Sequence, residues 1–184
     1  MTIVVHAGAA ITSGSTAAFV AGASGSFAIT TSGAPSATVS LSGSLPKGLT
    51  FSTTGGTGTI SGTARKAQIG SSTVVVHASN GVGDPDAQVL TVVVGTLPKL
   101  SAAARVSVLR GGSLAVTVSA KGSPTPTITA SGLEGWQHAT GGLSGGLTIS
   151  GAAPSGGPPR VITLTLSATN LLGTTTRTLL VRIR

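Results

Sequence analysis

The sequence predicts an all-β chain of two tandem antiparallel sandwiches, and three observations predict it. One pattern is written twice, about 90 residues apart: Val74-Val75-Val76-His77-Ala78-Ser79-Asn80-Gly81-Val82-Gly83 is answered by Thr163-Leu164-Thr165-Leu166-Ser167-Ala168-Thr169-Asn170-Leu171-Leu172-Gly173. Gly58-Thr59-Ile60-Ser61-Gly62 is likewise matched by Leu147-Thr148-Ile149-Ser150-Gly151, and residues 33–43 align with 122–132 without a gap. An internal period of this length marks an array of similar modules. Composition is the second observation: Val, Ile, Thr, Ser and Gly dominate while good helix formers such as Glu, Lys, Gln and Met are scarce, which favours strands and turns. The third is rhythm, because short alternating runs closed by Gly, Pro, Ser or Asn recur every ~8 to 12 residues, as they do in a sandwich.

In order, the first repeat offers strands at 17–20, 26–32, 37–42, 49–53, 57–61, 72–79 and 87–94. Gly55-Gly56-Thr57-Gly58 joins the fourth and fifth as a hairpin, since it lacks the lysine and following helix of a phosphate-binding loop. The second repeat offers 104–109, 113–120, 126–131, 135–139, 146–150, 161–168 and 176–183. In its last strand Leu179, Val181 and Ile183 alternate with Leu180, Arg182 and Arg184, so one face is core and the other carries charge toward water. Gly95-Thr96-Leu97-Pro98-Lys99 reads as a linker too short for free tumbling, which predicts modules set end to end. The expected division is an arm or edge strand at 1–10, a first domain at 11–95 and a basic second domain at 96–184.

Composition excludes several classes of function. No cysteine is present, so neither a disulfide nor a thiolate metal site is available. With three Phe, one Trp and no Tyr, the chain lacks stacking platforms for bases and sugars. The carboxylates are Asp84, Asp86 and Glu134 and the imidazoles His6, His77 and His138. His77 falls mid-strand, and His138, near Glu134 and Trp136, finds no nucleophile or third partner, so no enzyme is expected. Asp84-Pro85-Asp86 reads as a turn, because two carboxylates fall short of the ~six to eight oxygens that calcium takes. The expectation is therefore no catalytic residue, no cofactor and no metal. Trp136 reads as core or, with Asp84 and Asp86, as an exposed contact for a sugar or partner protein.

No apolar run approaches the ~18 to 20 residues that cross a bilayer, and Met1-Thr2-Ile3-Val4-Val5-His6 lacks the basic start of an export signal. The expectation is an intracellular product or a segment of something longer. Net charge is +8 and uneven. Residues 1–95 hold Lys47, Arg65 and Lys66 against Asp84 and Asp86, a net +1, whereas 96–184 hold Lys99, Arg105, Arg110, Lys121, Arg160, Arg177, Arg182 and Arg184 against Glu134, a net +7.

Leu45-Pro46-Lys47-Gly48-Leu49-Thr50-Phe51, then Gly58 to Thr63, then Ala78 to Gly83 resemble, in order and spacing, the immunoglobulin-like (cadherin-like) repeats of bacterial surface proteins and phage virion proteins. The second repeat departs from that pattern, with Leu133-Glu134-Gly135-Trp136 at the Leu-Pro-x-Gly-Leu element and Ser150-Gly151-Ala152-Ala153-Pro154 after the fifth strand. The resemblance covers residues 10–184 and implies two immunoglobulin-like sandwiches with an adhesive or structural role and no catalytic residues.

In that fold the first strand runs to the C-terminal pole and the last strand ends there. Arg110, Arg160, Arg182 and Arg184 are thus expected at the pole farthest from the first repeat, and Asp84 and Asp86 at the opposite tip. A positive foot calls for an acidic protein surface: nucleic acid is disfavoured by the lack of aromatic interleaving, and membrane by the lack of an amphipathic helix or lipid anchor. Such repeats are normally exported, yet no export signal is visible, and a phage virion protein assembled in the host cytoplasm reconciles the two. The reading is a capsid decoration protein docked on the major capsid protein lattice by its second domain, forming a homo-oligomer on the virion if residues 1–10 pair with a neighbour. Its first domain is left for weak contact with host cell-surface glycans. The alternatives are spacer or adhesive repeats of a bacterial cell-surface protein and a phage tail-associated protein.

Overall fold

Where β-branched and aliphatic residues alternate with small or polar ones, the computed structural model is strand, and it describes residues 6–184. The strands are β1 (Ala7–Ile11), β2 (Thr16–Val20), β3 (Ser24–Ile29), β4 (Thr31–Ala34), β5 (Thr38–Ser42), β6 (Leu49–Thr54), β7 (Thr57–Thr63), β8 (Gly70–Ser79), β9 (Asp86–Ser101), β10 (Arg105–Val108), β11 (Ser113–Ser123), β12 (Thr127–Ser131), β13 (Gln137–Gly141), β14 (Gly146–Ala152), β15 (Arg160–Asn170) and β16 (Gly173–Ile183). Among the described residues one 3₁₀ turn lies at Lys66–Gln68. The chain divides into two units between Gly95 and Thr96.

In the first unit β2 pairs in parallel with β9, which pairs with β8, which pairs with β5. The facing layer is β3-β7-β6, with β4 continuing β3 and pairing β1. Phe19, Ile29, Ile60, Val74, Val76, Leu90 and Val92 fill the space between as one buried cluster. The second unit repeats this plan. β10 pairs in parallel with β16, then come β15 and β12; opposite them residues 96–101 of β9 pair with β11, then come β14 and β13. Val118, Ile149, Leu164, Leu166, Leu179 and Val181 are fully buried between these layers. Burying such side chains contributes about 1.5–3 kcal/mol each, the main stabilising term in a chain without disulfides.

Both repeats close with one side-chain clip. Asn80 Nδ2 donates to the carbonyls of Ala7 (2.7 Å) and Pro35 (2.8 Å), and Asn170 Nδ2 donates to those of Thr96 and Pro124 (2.9 Å each). Each Oδ1 accepts the N–H two residues on, from Val82 or Leu172. The repeated Ile-Ser-Gly also has a steric cause. A Cβ on Gly62 would stand 2.2 Å from the Gly48 carbonyl oxygen, and one on Gly151 2.0 Å from that of Trp136, so only glycine lets the neighbouring strand pass.

The segment read as a linker is strand. Within β9 the Thr96, Lys99 and Leu100 positions lie opposite Ser123, Lys121 and Ala120, and Pro98, which has no N–H to donate, uses its carbonyl to accept from Thr175 Oγ1 at 2.8 Å. Of the expected arm at 1–10, residues 1–5 lie outside the described residues. Residues 7–11 are β1, paired within the chain from Ala7↔Ala34 to Ile11↔Thr31. The expected strand at 26–32 is broken at Thr30, whose carbonyl accepts from the Thr12 N–H at 2.8 Å, and the one at 135–139 begins at Gln137 after a turn closed by Gln137 N–H to the Glu134 carbonyl.

Candidate functional site

The outer face of β10 and β16 carries the charge, and strand alternation puts it there, while Arg160 joins from the first position of β15. In β10, Val106 is half-buried and Val108 buried, so Arg105 and Ser107 face out; in β16, Leu179, Val181 and Ile183 face the core, so Leu180 and Arg182 face out, and Arg184, just past the strand's end, is exposed. Register then places Arg105 opposite Leu180 and Arg182 opposite both Ser107 and Val161. The result is a groove of ≈ 500 Å³ whose lining includes Arg105, Arg160, Arg182 and Arg184 around Val161 and Leu180. Val161 is 56% exposed there.

Three of the four arginines expected together, Arg160, Arg182 and Arg184, line this groove. Arg110 adjoins it through the backbone, its N–H donating to the Arg184 carbonyl at 3.1 Å. Arg160 is not an unpartnered charge. Its Nη2 lies 2.5 Å from Glu134 Oε2, the single ion pair among the described residues, and the same oxygen accepts from Trp136 Nε1 at 2.9 Å. Arg105, a further exposed cation of the groove, is not among the residues that the sequence singles out. Its signal was the parallel pairing of β10 with β16, which lines its side chain up beside Leu180.

The remaining candidates lie elsewhere. Trp136 is half-buried against the second unit's core and tied to Glu134, not presented as an open ring. Asp86 is half-buried, its Oδ2 accepting from the Ile11 N–H at 2.7 Å and its Oδ1 from the Ala87 N–H at 2.8 Å, so it holds β1 against the start of β9. Asp84 is exposed in the turn between β8 and β9. His77 sits half-buried on β8 opposite Ser40 and Ala87, and His138 lies exposed on β13 opposite Ser150. No three of the described His, Asp or Glu residues are grouped as metal ligands. Gln137, also missed, is 4% exposed and occupies the place that Leu49 holds in the first unit, each pairing the equivalent glycine, Gly151 or Gly62. No described helix is long and apolar enough to cross a membrane.

A sequence profile described as "Putative Ig domain" matches residues 2–95. The chain belongs to this Ig domain family. Solved structures similar to the Ig chain are themselves tandem Ig arrays. The "I-band fragment I67-I69 from titin" matches at TM-score 0.52 and 13% identity over 96% of this chain and 66% of that one. Extracellular domains 3-5 of Drosophila OTK match at TM-score 0.60 and 17% identity over 90% of this chain and 58% of that one. The chain thus spans less than two thirds of either, and the likeness is one of fold: two Ig-like β-sandwiches in tandem. No curated protein matches the sequence. Ig-like families are typically structural or adhesive modules.

Proposed function

We propose that this Ig-like chain is a non-enzymatic attachment protein of a virus particle, a capsid decoration displaying two domains and docked through the arginine groove of the second. The observation that carries this reading is a difference between the repeats. Where the second domain has Arg105, Arg160, Arg182 and Arg184, register gives the first domain Thr16, Gly70, Val93 and Gly95, without a charge among them. One fold is built both ways, so the arginines answer to something other than folding. Their complement is an acidic protein lattice, because a flat strand surface without a recognition helix or stacking aromatics is poorly suited to nucleic acid. Assembly in the host cytoplasm suits a chain that needs no disulfide.

A second reading, spacer or adhesive repeats of a bacterial surface protein, is favoured by one observation: the similar structures are lengths cut from longer Ig arrays. Co-sedimentation with purified capsid shells separates the two. Retention is expected to fall as salt is raised and to be lost in Arg105→Gln/Arg182→Gln/Arg184→Gln, but to survive neutralisation of Lys47, Arg65 and Lys66. Retention indifferent to salt and to the triple substitution would sink the docking reading.

A further inference from the structure

We propose that β10 is an acceptor edge for an extended acidic segment of a partner protein, which adds to the sheet as a further strand and sets alternate carboxylates against Arg105, Arg182 and Arg184. The inference rests on the docking reading above and names its chemistry.

The backbone supplies the first half of the argument. Among the described residues β10 pairs only with β16. The Ala104 and Val108 carbonyls accept from the Leu180 and Arg184 N–H groups at 3.0 Å each. A parallel ladder uses alternate residues, so Ala104, Val106 and Val108 face β16 while the backbone groups of Arg105 and Ser107 point to the open side. An edge of this kind is a template for another strand.

The side chains supply the second half. A strand laid along β10 repeats on one face every ~6.6 Å, the spacing that also separates alternate residues such as Arg182 on β16 and Arg184 just past its end. Acidic residues at every second position meet that row, and exposed Val161 and half-buried Leu180 among the arginines suit the methylene stems of such side chains better than a sugar or phosphate chain. Edge charges also serve to block unwanted pairing. The corresponding edge of the first domain, β2, presents Thr16, Ala18 and Val20 and does without them, so the fold itself does not require such a guard. The occupant is not a second copy of this chain. Asp86 and Glu134 are already hydrogen-bonded within it, and Asp84 alone is no acidic strand.

The test uses the full chain, labelled for amide NMR, and a synthetic peptide of alternating Glu and Val. Saturable binding is expected, with slowed hydrogen exchange at the Arg105 and Ser107 amides. Affinity should fall about tenfold or more in Arg105→Gln/Arg182→Gln/Arg184→Gln. A similar loss is expected in Ser107→Pro, which removes an N–H facing the open edge and leaves the β16 ladder intact. Thermal melts of both variants, close to that of the parent, show that the fold is kept. Equal affinity for poly-glutamate, binding indifferent to Ser107→Pro, or no peptide binding overturns strand addition while leaving salt-dependent retention on shells to stand or fall separately. Tighter binding to oligo-dT or to phosphatidylglycerol vesicles overturns the choice of a protein partner.

Discussion

Asn80 and Asn170 do the same work in the two domains: each amide nitrogen bridges the carbonyl at the start of the domain's first strand, Ala7 or Thr96, to that of a proline, Pro35 or Pro124. The Asn-centred turn written twice in the sequence is thus a clip between segments more than forty residues apart. Replacing either asparagine by alanine strands two carbonyls and one N–H. Each change is expected to lower stability by about 1–2 kcal/mol, the low end applying because these bonds lie near solvent, as read by the urea midpoint. Asn→Asp at either site should fare no better, since a carboxylate faces two carbonyl oxygens.

The Gly62 and Gly151 contacts predict a steric penalty that composition alone does not. Gly62→Ala and Gly151→Ala should each cost about 1–3 kcal/mol, because the obstructing atom is backbone and cannot swing aside. Gly146→Ala is the control. Its Cβ meets nothing within 4 Å, and the change should be neutral or stabilise by up to about 1 kcal/mol.

Gln137 predicts a gain. Its Oε1 accepts from the Glu134 N–H at 2.9 Å, but its buried Nε2 has no partner, in a place where the first domain uses Leu49. Gln137→Leu should raise stability by about 1 kcal/mol, measured by denaturant unfolding, since removal of an unpaired buried amide outweighs loss of one bond.

Glu134→Gln tests how the ion pair tunes the groove. The pair is partly exposed, with side-chain exposures of 47% for Arg160 and 33% for Glu134, so stability should change by less than about 1 kcal/mol. Releasing the Arg160 charge should strengthen retention on an acidic lattice and steepen its salt dependence. The chain's one tryptophan, whose Nε1 donates to Glu134, reports the change through its emission.

The strands were legible in the sequence because each sheet has one wet face and one dry one. Alternation at Leu179, Val181 and Ile183 needs no knowledge of the rest of the chain. What could not be read depends on partners distant in sequence. Gly95 to Lys99 looks like a linker by composition and becomes strand because β2 pairs Gly95 and β11 lies beside Thr96 to Lys99. Arg105 joins the groove through its register with Leu180, and Arg160 loses its independence to Glu134, 26 residues away; neither follows from periodicity. Arg160, Arg182 and Arg184 line one groove because strand ends at one pole are a property of the topology, and Arg110 reaches it only through its backbone bond to Arg184.

The bonds that engage Asp86 and Glu134 reach beyond local stability. With those two acids held internally, the surface offers little negative charge to balance its cations, and molecules brought close together repel one another. A crowded layer of this protein would therefore limit itself: the countercharge of any support beneath would set how densely it is coated.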